Sequence, residues 1–150
     1  MARLDYFGIE EAIKTLLEAN TNLTGVQVGL EEELPFTAAA DAQVEIYLVR
    51  RDTPELQPLA AGQRTRFLVR FSIWCYGVSF ESIAKACEAR DDLVGNVEIS
   101  LMADRSLGGT VNSSWLEGGA FETKEAPGGS SGFGMGGEII LMADVKATTT

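Results

Sequence analysis

Residues 64–77 constrain the fold more than any other stretch of the chain. Phe67, Val69, Phe71, Ile73 and Cys75 alternate with Arg66, Leu68, Arg70, Ser72, Trp74 and Tyr76. A period of two marks a β-strand, whose successive side chains point to opposite faces. The first set is a uniform core row. The second mixes large apolar residues with two arginines, a composition closer to a contact surface than to a face in water. A strand of this length needs a sheet around it.

Residues 6–20 place Ile9, Ala12, Ile13, Leu16 and Leu17 on one helical face, with Glu10 and Glu11 in the first turn, where acids suit the helix dipole. Asn20 and Asn22 supply a stop, and Val26 and Val28 begin a short extended piece. Ser79 is expected to cap a second helix, with Glu81 in its first turn. Its apolar stripe would be Phe80, Ile83, Ala84, Cys87, Val94, Val97 and Leu101. Gly95 weakens the middle of that helix by about 1 kcal/mol relative to alanine and predicts a kink or a close contact.

Further strands are expected at 43–50, where Val44, Ile46 and Leu48 alternate with Glu45, Tyr47 and Val49, and at 111–123, with a bulge near Gly118 and Gly119. A last strand at 138–147 sets Ile139, Leu141, Ala143 and Val145 opposite Ile140 and Met142. Pro35, Pro54, Pro58 and Gly62 mark surface connections, and the glycines of 127–137 predict a flexible hairpin loop. The element order implies one α+β domain over residues 1–150. It would be a mixed, mainly antiparallel sheet of four to five strands with two helices packed on one face. The long strand, the second helix and the strand near 111 form a crossover, and its two strands should be parallel if they are neighbours.

Twenty-two acids face twelve bases, a net charge of −10, and the excess is spread over both halves of the chain. Such a surface repels phosphates and disfavours nucleic-acid binding. No stretch approaches the roughly 18–20 apolar residues of a membrane span. The first six residues lack the apolar run of a signal peptide, so a reducing cytoplasm is expected, with Cys75 and Cys87 as buried free thiols.

Catalytic chemistry has little to work with. There is no histidine, which removes the commonest general base and the Ser-His and Cys-His nucleophilic pairs. Asp91 and Asp92 are adjacent on a helix and do not share a face, and Glu31, Glu32 and Glu33 form a loop triplet without calcium-loop spacing. No lysine follows the glycines of 127–137, and a strand rather than a helix comes next, so a phosphate loop is excluded. No metal, cofactor or enzyme activity is expected.

The order and length of the elements resemble the tail terminator (tail completion) proteins of long-tailed bacteriophages. The likeness is carried by the amphipathic opening helix, the arginine-flanked strand Arg66–Trp74, the helix after it, the segment Leu101–Val111 and the closing strand Gly137–Val145. The resemblance implies a homohexameric ring that caps the completed tail tube, ends its polymerisation and gives the head a docking face. DNA would pass through the lumen without specific binding. Partners would be further copies, the tail tube protein and a head-completion or connector protein. The expected location is the tail-neck region of a virion assembled in the host cytoplasm, with no membrane. Arg66, Leu68, Arg70, Trp74, Ile140, Met142 and Phe133 are the interface candidates, and Glu31, Glu32 and Glu33 are candidates for an acidic loop or lumen. Competing readings are another head–tail connector, a tail tube subunit, or a small acidic ligand-binding domain.

Overall fold

The structure is a computed structural model that describes residues 4–31, 42–52, 64–122 and 133–148, the side chains of 64–66 and 146–148 excepted. Helix α1 (Tyr6–Glu18) starts where the Asp5 carboxylate accepts a hydrogen bond from the Gly8 N–H at 3.0 Å. Ile9, Ile13 and Leu17, spaced by one turn, are its buried stripe. The Asn20 side chain then accepts from the Asn22 N–H at 2.9 Å and opens a single 3-10 turn, Thr21–Leu23. Its amide also donates to Ser100 Oγ at 2.6 Å, tying the exit of α1 to the second helix.

The strands are β1 (Gln27–Leu30), β2 (Ala42–Asp52), β3 (Arg64–Ser79), β4 (Ser113–Gly118) and β5 (Phe133–Thr148), with α2 (Ile83–Ala103) between β3 and β4. They form one sheet in the order β1-β2-β3-β5-β4. The β1–β2 pair is parallel and the other three pairs are antiparallel. The fold is therefore α+β, with a mixed, mostly antiparallel five-stranded sheet. Both helices lie on one face. Their buried residues join Val44, Ile46, Val69, Phe71, Ile73, Cys75, Ile139, Leu141, Ala143 and Val145 in a single core.

The structure departs from some local expectations and meets others. The strands joined by α2 are not neighbours, because β5 lies between β3 and β4. Both run antiparallel to β5, so they are parallel to each other across it. The cap of α2 is Ser82, whose Oγ accepts from Lys85 N at 3.1 Å, rather than Ser79, whose hydroxyl accepts from Glu81 N at the end of β3. Phe80 and Ile83 are consequently exposed, and Ala86, Leu93, Val94, Val97 and Leu101 carry the buried stripe. The last strand begins at Phe133, so Gly134, Gly136 and Gly137 lie in a strand and not in a loop, while residues 127–132 fall outside the described residues. The irregular centre near Gly118 is present as a register shift between Leu116 and Gly118.

Two glycines let the layers approach. A Cβ on Gly77 would stand 2.7 Å from the Ala86 carbonyl oxygen, so α2 rides directly on β3 there. A Cβ on Gly137 would meet Val94 Cγ2 at 2.9 Å. The turn after α2 is equally specified. Asp104 accepts from Ser106 N at 3.1 Å, Ser106 Oγ at 2.6 Å and Gly108 N at 2.9 Å. The Ser106 hydroxyl above all, and then the Gly108 N–H, hold its carboxyl below the usual range. Leu107, with φ 48°, is fully buried beneath this turn. Arg105 Nε donates to the Ser114 carbonyl at 2.8 Å and fastens the turn to β4.

Candidate assembly interface

The sheet has one covered face and one face that no described element packs over. Both outer strands are poor templates for strand addition: β1 has four residues, and the β4 ladder is broken by its register shift. The unpartnered feature is thus a face, not an edge.

Register assembles that face row by row. Glu45 of β2, Trp74 of β3 and Glu138 of β5 stand side by side, then Tyr47, Ser72 and Ile140. The next row is Arg50, Arg70, Met142 and Trp115, followed by Asp52, Leu68, Asp144 and Ser113. Trp74 and Tyr76 stack with ring centroids 6.2 Å apart and planes at 17°. Around them runs a polar network: Gln43 Nε2 donates to Glu45 at 3.1 Å, the Tyr47 hydroxyl donates to the other Glu45 oxygen, and Ser72 Oγ donates to Glu138 at 2.6 Å. The Gln43 side-chain oxygen is buried with no hydrogen-bond partner among the described residues.

The predicted interface residues divide. Leu68, Arg70, Trp74 and Ile140 are half-buried on this face. Met142 shares it but is only 6% exposed, packed between its Arg70 and Trp115 neighbours in the register, so most of its surface is already used within the chain. Phe133 is half-buried at the start of β5, opposite Ser79, away from the others. Arg66 pairs in register with Lys146, and its side chain lies outside the described residues.

Glu31 serves the fold. At the end of β1 its N–H donates to the Ile46 carbonyl and its carboxylate accepts from Leu48 N at 2.8 Å. It stands against Glu10, a carboxyl on α1 that is only 4% exposed. Burial, then the hydrogen bond and negative charge of Glu31, push Glu10 up to about 8. Glu32 and Glu33 lie outside the described residues. Cys75 is buried and Cys87 half-buried, both as free thiols, and burial pushes the Cys75 thiol far up. Among the described residues no three His, Cys, Asp or Glu side chains are grouped to hold a metal, and no helix is long and apolar enough to cross a membrane.

Sequence reasoning missed the gathering of bases at one end of the sheet. Arg50 faces Arg70 across β2 and β3, and Arg66 faces Lys146 across β3 and β5. Arg51 and Arg64 lie on the same strand ends. Six of the twelve bases thus lie on these strand ends, where Asp52 and Asp144 are the acids among the described residues. Five of these bases fall within residues 50–70, but only the register shows that Arg50 stands opposite Arg70 and Arg66 opposite Lys146.

No family model matches the chain, and no curated protein matches it. Among solved structures, it is similar to the sheath/tube terminator of an extracellular contractile injection system (PVC) in its extended state. The match has a TM-score of 0.51 at 12% identity and covers 100% of this chain. The chain spans 61% of the length of that protein. At this identity the likeness is one of fold.

Proposed function

We propose that this chain is a structural, non-enzymatic subunit that ends a tail-like tube. Its copies form a closed ring, six by the phage-terminator resemblance, that caps the tube and halts its growth. The observation that carries this reading is the fold likeness to a sheath/tube terminator over the entire chain. The half-buried apolar and charged face of β2, β3 and β5 supports it, because a ring needs two different patches that meet between copies. An acidic surface, at −10 overall, suits a conduit through which DNA slides without being held. In a virion the neighbours would be the tube protein on one side and a head-completion protein on the other.

Tube length is the direct test. Purified protein added to polymerising tube subunits should shorten the tubes and appear as one closed layer at their ends. Incorporation along the tube, in open stacks, would identify a tube subunit instead. A saturable thermal shift with a single metabolite would favour a ligand-binding domain.

A further inference from the structure

The charge and burial patterns show how one copy would meet the next, given that the chain self-assembles as proposed above. Like charges directly opposite one another in a sheet destabilise it. Arg50 and Arg70 are such a pair, at one end of the sheet. Arg50 is offset by Asp52 at 2.9 Å, but Arg70 has no ion-pair partner among the described residues. Leu68, Trp74 and Ile140 lie beside these bases on the same face. The surface calls for a partner both acidic and apolar.

Helix α2 offers one. Glu88, Asp92, Gly95, Ile99 and Met102 follow each other at spacings of four and three, so they form one stripe. It is the outward stripe: Glu88 and Asp92 are exposed, Ile99 is 60% exposed and Met102 58% exposed. Gly95 sits at its centre, and beyond its own stretch of helix no atom of the described residues lies within 4 Å of where its Cβ would stand. Among the described residues nothing therefore requires glycine there, although a mid-helix glycine is less stable than alanine by about 1 kcal/mol. A glycine at the middle of an exposed stripe lets another surface approach the helix backbone closely.

We infer that the open sheet face of one copy docks on the outward stripe of α2 of the next copy. Arg50 and Arg70 meet Glu88 and Asp92, while Trp74 and Ile140, on one side of those bases, cover Gly95, Ile99 and Met102. The contact joins two different surfaces, so it is heterologous and propagates head to tail until it closes. A second copy is favoured over nucleic acid because the other twenty acids share the rest of the chain with six bases, a field that repels a phosphate polymer but attracts the basic end of a sister molecule.

The test uses the full chain and two charge-reversed variants, Arg50→Glu/Arg70→Glu and Glu88→Arg/Asp92→Arg, each checked for folding by circular dichroism. Light scattering should show assembly of the parent that weakens as salt rises. Each variant alone should self-associate at least about tenfold more weakly. Their equimolar mixture should assemble again, because the reversed faces complement one another. Gly95→Tyr should fold and stay monomeric, which keeps the test decisive if Arg70→Glu fails to fold. A monomeric parent would remove the ring reading, and this interface with it. A parent that assembles while the reversed variants or Gly95→Tyr assemble equally well would overturn the interface and leave the ring standing. Duplex DNA retained through Arg50 and Arg70, with self-association unchanged in the variant, would assign the basic end to nucleic acid instead.

Discussion

The two faces of the same sheet obey different rules. On the helix side, Val69, Phe71, Ile73 and Cys75 are fully buried, and their neighbours across the sheet are apolar or glycine, apart from Arg51 opposite Val69 at the sheet end. On the other side, Arg70, Trp74 and Tyr76 are half-buried, while Gln43, Glu45 and Ser72 are buried polar groups. The covered face is an ordinary core. The bare face carries buried polar atoms held in a network and aromatic rings standing in partial contact with water. Consecutive residues of one strand therefore stand in two different environments.

Substitutions can break or sharpen that contrast. The largest effect belongs to the covered face: Phe71→Ala should destabilise the monomer by about 3–5 kcal/mol in chemical denaturation, since it empties a fully buried aromatic site. Gly77→Ala should follow, at about 1–3 kcal/mol, because its methyl group would press on the backbone of α2. Tolerance of either change without loss of melting temperature would mean that the helix layer is less tightly seated than described.

Glu10 probes the covered face by pH. Its carboxyl titrates near 4.5 when unperturbed and near 8 in the fold. The folded state holds the extra proton between those values, so the contribution of Glu10 is complete below about 4.5 and is lost as pH rises through about 8. Glu10→Gln should remove that loss, and the melting temperature of the variant relative to the parent should climb across the window. A constant offset at all pH values would contradict the buried, protonated state. Trp74→Ala should have the smallest effect on the monomer, about 0.5–1.5 kcal/mol from the lost aromatic stack, yet should abolish assembly. Collapse of the monomer would make Trp74 a core residue.

The covered face was legible in the sequence because alternation in β3 and β5 and helical spacing in α1 report burial directly. The passages that misled are those where composition and packing diverge. Gly134, Gly136 and Gly137 looked like a loop by density, but Gly137 is a strand position kept small by Val94 above it. Ser79 and Ser82 are equivalent caps on paper, and the extension of β3 to Ser79 decides between them. The bare face was half legible. Leu68, Arg70 and Trp74 announced it, but the cluster of Arg50 with Arg70 exists only through the pairing register of β2 with β3. The same holds for the outward stripe of α2, since the late start at Ile83 fixes which residues face out.

Strand β5 is the last element in chain order, yet it sits second from the sheet edge, between β3 and β4. During synthesis β3 emerges with one side unclaimed, and β4 emerges with no strand to hold it. Fifty-three residues separate the end of β3 from the start of β5, a long loop to close, and such non-local pairing is slow. A nascent or truncated chain therefore lacks the finished row that brings Arg70 beside Met142 and Trp115. A chain that has not yet placed β5 therefore lacks the surface through which, in the assembly proposed above, it would join its sisters.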